Sequence, residues 1–178
     1  MKKWVALFSQ TGSEIVDLAL HFDRWPDIII TNNKGDNIHP LIKSRITHTV
    51  TRPQARTLNI LDDVATPYDL VTLHGWLRIV PEAKCNKFDI YNGHPGLITK
   101  YPDLKGKDPQ LRILDKKYAY YGSVVHKVVA EVDSGEIMTE CSRLNNNKTI
   151  EDCFDRLKAT SRTAWIDFLR DNPIIKSC

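Results

Sequence analysis

Asn92, His94 and Asp133 are the side chains of this sequence best suited to chemistry. The amide and the imidazole stand two positions apart in Asn92-Gly93-His94-Pro95-Gly96, after an apolar stretch and before a proline-fixed loop, so both can present donors to one point. Asp133, in Val132-Asp133-Ser134-Gly135, offers a carboxylate that can tune the imidazole. Acyl transfer from one nitrogen to another needs an oxyanion stabilised in a tetrahedral intermediate, a proton removed from the attacking amine and a proton given to the leaving amine. Asn92 supplies a neutral donor, His94 a donor or proton shuttle near neutral pH, and Asp133 an opposite charge that holds the imidazolium or relays protons through water. The amine attacks directly, so no serine or cysteine nucleophile is required. The same residues are turn formers, and Asp133-Ser134-Gly135 suits a hairpin turn, so the types alone leave an ordinary turn open.

Such a site needs a scaffold, and 178 residues suffice for one domain, spanning 1–178, with a core of its own. The formal charge of +3 is a mild basic excess spread over the chain, which disfavours a nucleic-acid partner and leaves room for a local anion site. Cys85, Cys141, Cys153 and Cys178 lie far apart without a Cys-x-x-Cys pair, which argues against zinc or a disulfide framework and for a reducing, cytoplasmic setting. No metal site is expected. The apolar run after Met1-Lys2-Lys3 is too short for a signal sequence, and no window is long enough to span a bilayer.

The elements alternate. Trp4 to Phe8 reads as a buried strand ending in the polar loop Ser9-Gln10-Thr11-Gly12-Ser13, and a helix through Ile15, Leu18, Ala19 and Phe22 follows, with Ser13 as its cap. A second strand is expected at 27–31, a short helix around Pro40 to Lys43, an edge strand at 47–51 and a helix opened by Pro53 that runs through Leu58, Leu61 and Val64. Strands at 69–73 and 88–91 follow, so the loops 9–13, 74–80 and the one beginning at Asn92 converge at the carboxyl ends of a parallel sheet covered on both faces. Residues 97–107 form a loop, 109–117 a helix with Leu111 and Leu114 on one face, and 122–129 with 136–143 a strand pair turning at Asp133-Ser134-Gly135. The last helix, 150–169, carries an apolar stripe of Ile150, Cys153, Phe154, Leu157, Ala164, Trp165 and Phe168 behind a Thr149 cap.

Taken together, these segments resemble the formyltransferase family, particularly glycinamide ribonucleotide formyltransferases that use 10-formyltetrahydrofolate. Ser9-Gln10-Thr11-Gly12-Ser13 is similar to the family's Ser-Gly-x-Gly-Ser phosphate loop, and His74-Gly75-Trp76-Leu77-Arg78-Ile79-Val80 to the stretch whose main chain holds the pterin-like ring. Asn92-x-His94-Pro95, Lys100-Tyr101-Pro102-x-Leu104, Gly122-Ser123-Val124-Val125-His126 and Val132-Asp133-Ser134-Gly135 match further motifs in the right order. The resemblance covers nearly the whole chain. It implies an α/β, Rossmann-like sheet, mostly parallel with an antiparallel C-terminal strand pair and helices on both faces. It implies Asn92, His94 and Asp133 as the catalytic triad, and reduced folate held by Leu77, Arg78, Ile79, Val80, His126 and Val132, with His126 equally readable as a strand histidine satisfied by backbone.

The acceptor side departs from the family. Gln10-Thr11 replaces the usual small pair of the phosphate loop, although Gly12 and Ser13 remain. The glutamate that contacts the glycinamide amine falls at Ser161, beside Arg162, and Lys105 and Lys107 add charge near the acceptor pocket or are simply solvated. The implied function is therefore formyl transfer from 10-formyltetrahydrofolate to an amine of a small acceptor, nucleotide and sugar-nucleotide amines included, by a monomer or homodimer without nucleic-acid or membrane partners. Three readings stay open beside it: glycinamide ribonucleotide formylation itself, 10-formyltetrahydrofolate hydrolysis, and a folate- or nucleotide-binding protein without chemistry. A flavodoxin-like module with flavin phosphate at loop 9–13 is a further, cheaply tested option.

Overall fold

A computed structural model describes residues 2–146 and 148–176; Met1 and Cys178, named above, lie outside them. Strand β1 (Trp4–Phe8) is buried at every position because both faces of the sheet are covered. Val5 and Leu7 pack on one side with Val71, Leu73, Leu58 and Leu61, while Trp4, Ala6 and Phe8 face the other side among Leu18, Ile15 and Trp165. This two-sided burial is why the strand reads as an unbroken apolar run.

Strands β2 (Ile28–Thr31), β3 (His48–Thr49), β4 (Leu70–His74), β5 (Ile90–His94), β6 (Tyr120–Lys127) and β7 (Ile137–Leu144) complete one sheet of order β3-β2-β1-β4-β5-β6-β7. The pairs from β3 to β5 are parallel, and β5-β6 and β6-β7 are antiparallel. This is the mixed sheet expected, with a short β3 at its edge. The chain winds outward in both directions from β1 and β4, so their carboxyl ends open a crevice at the switch point. There the Leu77 amide donates to Ser9 Oγ at 3.0 Å and joins the loops that follow the two strands.

Helices α1 (Ser13–Phe22) and α7 (Ile150–Leu169) cover one face. On the other lie α3 (Arg52–Thr57), α4 (Ile60–Val64) and α5 (Glu82–Lys87). The short α2 (Pro40–Lys43), α6 (Pro109–Asp115) and α8 (Pro173–Lys176) complete the set. Helix α7 has the expected bounds, and Thr149 caps it by accepting from the Asp152 amide at 3.1 Å.

Several expectations are corrected. Ser13 is the first helical residue of α1, and Gly12, at φ 73°, is the N-cap. The helix opened by Pro53 is two helices, broken where Leu58 adopts φ 52° to keep its side chain fully buried. Helix α5 was not expected. On α6 the buried face carries Ile113 and Gln110, and Leu111 is exposed. Phe154, placed on the buried stripe of α7, is also exposed. Between β6 and β7 runs a nine-residue connection, 128–136, and not a tight turn.

Candidate active site

The largest correction concerns the chemistry itself: Asn92, Gly93 and His94 lie inside β5, not in a loop. Pairing with β6 holds them there, with Asn92 opposite His126, Gly93 opposite Val125 and His94 opposite Val124. Side chains directly opposite in an antiparallel ladder share a face, so the register sets Asn92 Nδ2 3.2 Å from His126 Nε2. The middle residue is glycine for a packing reason. A Cβ at 93 would collide with the indole nitrogen of Trp165, which is fully buried on α7.

Asp133 reaches these groups from the connection between β6 and β7. It stands at φ 50°, a left-handed conformation that aspartate tolerates better than most residues. Gly135 lets the segment fold back onto β6, because a Cβ there would strike the Lys127 carbonyl. Asp133 then sits between two imidazoles, Oδ2 3.3 Å from His94 Nδ1 and Oδ1 3.4 Å from His126 Nε2. Its Oδ2 also accepts from the Gly106 amide at 2.9 Å. Asn92, His94, Asp133 and His126 therefore lie together in one cluster, His94 and His126 buried and Asn92 and Asp133 half-buried.

Burial pushes the Asp133 carboxyl up, but the adjacent His126 imidazole, the His94 charge and the Gly106 amide outweigh it and hold the group below the ordinary aspartate value. For His94 the balance falls the other way. Burial holds its imidazole below the ordinary value, although Asp133 and the Leu104 carbonyl favour the cation. Asp133 does not by itself keep His94 charged, as had been expected, because only 5% of His94 is exposed and desolvation is the larger effect.

The segment after the 3₁₀ turn at Pro102–Leu104 closes over this cluster. His94 Nε2–H donates to the Leu104 carbonyl at 2.8 Å, Gly106 binds Asp133, and Lys105 Nζ donates to Ser134 Oγ at 2.8 Å. Arg112 Nη2 fastens the segment to α6 through the Leu104 and Lys105 carbonyls at 3.3 and 3.0 Å. None of these backbone partners has a side-chain signature in the sequence.

The residues expected to hold folate lie around the switch-point crevice and the 128–136 connection. Val80 and His126 are buried, while Leu77, Ile79 and Val132 present apolar side chains to solvent. Exposed apolar groups flanking a buried polar cluster suit a flat heteroaromatic ring. Arg78 Nη1 donates to the Leu77 carbonyl, and the Leu77 amide is already engaged by Ser9.

Of the residues expected on the acceptor side, Ser161 belongs to a second network, which sequence reasoning did not anticipate. Thr11 Oγ1 accepts from the Ser13 amide at 3.3 Å, and Gln10 lies against Gly75. Ser161 is buried on α7 with its hydroxyl on Glu14, while Arg162 beside it is exposed. Glu14 Oε2 is 2.8 Å from His74 Nδ1, and the His74 ring packs on Trp165 at a tilt of 39° with ring centroids 4.6 Å apart. Trp165 thus touches both His74 and the Gly93 backbone between Asn92 and His94. An acidic residue one step after Gly12-Ser13 was the available signal for Glu14.

Comparison with known proteins agrees with this architecture. The crystal structure of phosphoribosylglycinamide formyltransferase from Anaplasma phagocytophilum superposes with a TM-score of 0.81 at 23% identity, over 98% of this chain and 86% of that one. A formyltetrahydrofolate deformylase from Pseudomonas syringae gives 0.75 at 19% identity, over 99% of this chain and 62% of that one. At such identities the likeness concerns the fold. In sequence, the phosphoribosylglycinamide formyltransferase of Dictyostelium discoideum is 28% identical over 111 residues, 57% of this chain and 54% of that protein. The trifunctional purine biosynthetic protein adenosine-3 of Bos taurus is 29% identical over 118 residues, 64% of this chain. The match spans about half of the Dictyostelium protein and 11% of the bovine one. The family model described as formyl transferase matches residues 28–169, a span that takes in Asn92, His94, His126 and Asp133, and the chain belongs to the formyl transferase family.

Proposed function

We propose that the protein is a folate-dependent formyltransferase that moves a formyl group from 10-formyltetrahydrofolate to the amine of a small acceptor. The observation that carries this reading is Asp133, set between the buried His94 and His126 with Asn92 bonded to His126, at the carboxyl end of β5. Binding a ligand without chemistry has no need of that combination. When bound, the folate supplies a formyl group on nitrogen, an activated amide. A C–N bond forms to the acceptor amine, the C–N bond to the folate nitrogen breaks, and the amine proton ends on that nitrogen.

Asn92 keeps a second amide N–H free of His126 and donates it to the developing oxyanion. His94 Nε2–H, held by Leu104 in this structure, becomes the second donor when the 102–106 segment withdraws. With Nε2 carrying the donated hydrogen, Nδ1 is the nitrogen that takes up the proton lost by the amine, by way of Asp133 3.3 Å away, and Asp133 then stabilises the resulting cation. Leu77, Ile79 and Val132 cover the ring of the folate, with Arg78, Val80 and His126 beside it. Gln10, Thr11, Gly12, Ser13, Ser161 and Arg162 surround the acceptor. The buried free thiols of Cys85, Cys141 and Cys153 suit a reducing, cytoplasmic compartment.

The test is steady-state formyl transfer from 10-formyltetrahydrofolate to a panel of amines, read by tetrahydrofolate formation and product mass. His94→Ala and Asp133→Asn are expected to lose about a hundredfold or more in kcat. Full transfer by either variant removes the proposed roles.

A further inference from the structure

Glu14 stands where an anion-binding loop would keep its surroundings free of negative charge. It lies in the first turn of α1, directly after Gly12 and Ser13. Thr72 Oγ1 accepts the Trp4 indole N–H at 2.9 Å and lies 3.0 Å from His74 Nε2. His74 Nδ1 donates to Glu14 Oε2 at 2.8 Å, since an ionised carboxylate only accepts. Ser161 donates to the other oxygen, Oε1. Glu14 is thereby a carboxylate oriented on both oxygens by side-chain donors. A carboxylate has about four lone-pair sites, so each oxygen keeps one free. With 26% of its side chain exposed, Glu14 can offer them to a ligand.

The loop before it is correspondingly ill suited to phosphate. The Ser13 amide, at the amino end of α1, is taken by Thr11 Oγ1, and Thr11 and Ser13 hydroxyls lie 3.0 Å apart, bonded to each other. A phosphate here would face Glu14 at short range, and like charges without an intervening cation repel. The network leads directly to the catalytic strand, because the His74 ring packs against the indole of Trp165. That indole is fully buried, its Nε1 has no hydrogen-bond partner, and it packs against Gly93.

We infer that Glu14, oriented by His74 and Ser161, is the specificity-determining residue for the acceptor: it takes the N–H donors of a cationic amine and excludes a phosphate from loop 9–13. The inference rests on the formyl-transfer reading and narrows its substrate to positively charged, unphosphorylated amines. The carboxylate binds the cationic end through charge-assisted hydrogen bonds, the ammonium gives one proton to solvent before the freed amine attacks, and the charge of Glu14 makes the phosphate ester of the same amine the poorer substrate.

The native protein is assayed with 10-formyltetrahydrofolate and paired amines, glucosamine against glucosamine 6-phosphate and glycinamide ribonucleoside against its 5′-phosphate. The unphosphorylated member is expected to be preferred by about tenfold or more in kcat/KM. Glu14→Gln should erase that preference through the KM of the amine, and Glu14→Asp should restore part of it. Preference for the phosphate esters by the native protein overturns the inference and leaves formyl transfer standing, as does an unchanged ratio in Glu14→Gln. No transfer to any of the four amines, with folate binding followed by tryptophan fluorescence, overturns the formyl-transfer reading and this inference with it. Should Glu14→Gln fail to fold by circular dichroism, the native selectivity ratio decides alone.

Discussion

The indole of Trp165 occupies the space that a side chain at Gly93 would need, so the helix that covers the sheet is keyed into the strand between Asn92 and His94. Any Cβ at 93 requires either the fully buried tryptophan or the strand to move. Gly93→Ala is therefore expected to cost about 1–3 kcal/mol in stability by overpacking. It should also lower kcat by displacing both donors together. Thermal melts and kinetics on one preparation check this, and an unchanged melt with native turnover would show that the two elements are not keyed.

The amide of Asn92 has one N–H directed at His126 and one left for substrate. Removing an oxyanion donor costs about a hundred- to a thousandfold in kcat. Asn92→Ala should show that loss with little change in folate affinity, since folate contacts are proposed on other segments. A variant whose folate KM rises while kcat holds would reassign Asn92 to binding.

The fold was legible where one physical cause dominated. Strands β1, β2 and β4 are buried on both faces and read as apolar runs, and α7 carries a long stripe behind a capping threonine. Leu58 breaks a helix at positive φ without the glycine that would announce it, because burial of its side chain outweighs the local cost. Asn92-Gly93-His94 has the composition of a turn and is held as strand by its ladder with β6, a long-range pairing that local pattern does not reveal. The candidate triad was visible as side-chain types. Leu104 and Gly106 act through backbone atoms that any residue carries. The acceptor side was judged from loop 9–13, Lys105, Lys107, Ser161 and Arg162, whereas the carboxylate that meets Ser161 comes from Glu14, far away in sequence.

Acid should destabilise the site through two groups acting in the same direction. The unfolded chain protonates His94 at its ordinary value of 6.5, above the folded value, so its contribution to stability is complete above pH 6.5 and is lost as pH falls from there through the folded value. Asp133, also depressed, contributes above its ordinary 3.8 and loses that contribution as pH falls through its folded value. Below pH 6.5 the slope from one group is at most about 1.4 kcal/mol per pH unit. Denaturant unfolding between pH 5 and 8 should show it in the native protein and a flatter profile in His94→Asn. Equal slopes in the two would mean that His94 is not desolvated as described.

Arg112 links the covering segment to the protonation of His94. Its guanidinium holds the Leu104 and Lys105 carbonyls, and its charge is one of the influences that lower the His94 value. Arg112→Ala removes a positive charge near His94 and loosens the backbone that buries the ring; the relief of desolvation, the largest influence on this imidazole, outweighs the weakened Leu104 hydrogen bond that favours the cation. The His94 titration, followed by NMR of its ring protons, should move upward, and the acid limb of kcat/KM should move with it. Amide exchange at 104–106 should quicken, since the segment loses its tie to α6. A titration that stays in place while exchange quickens would mean that the segment covers His94 without setting its protonation. A downward shift would mean that the Arg112 charge and the burial it maintains do not govern that imidazole.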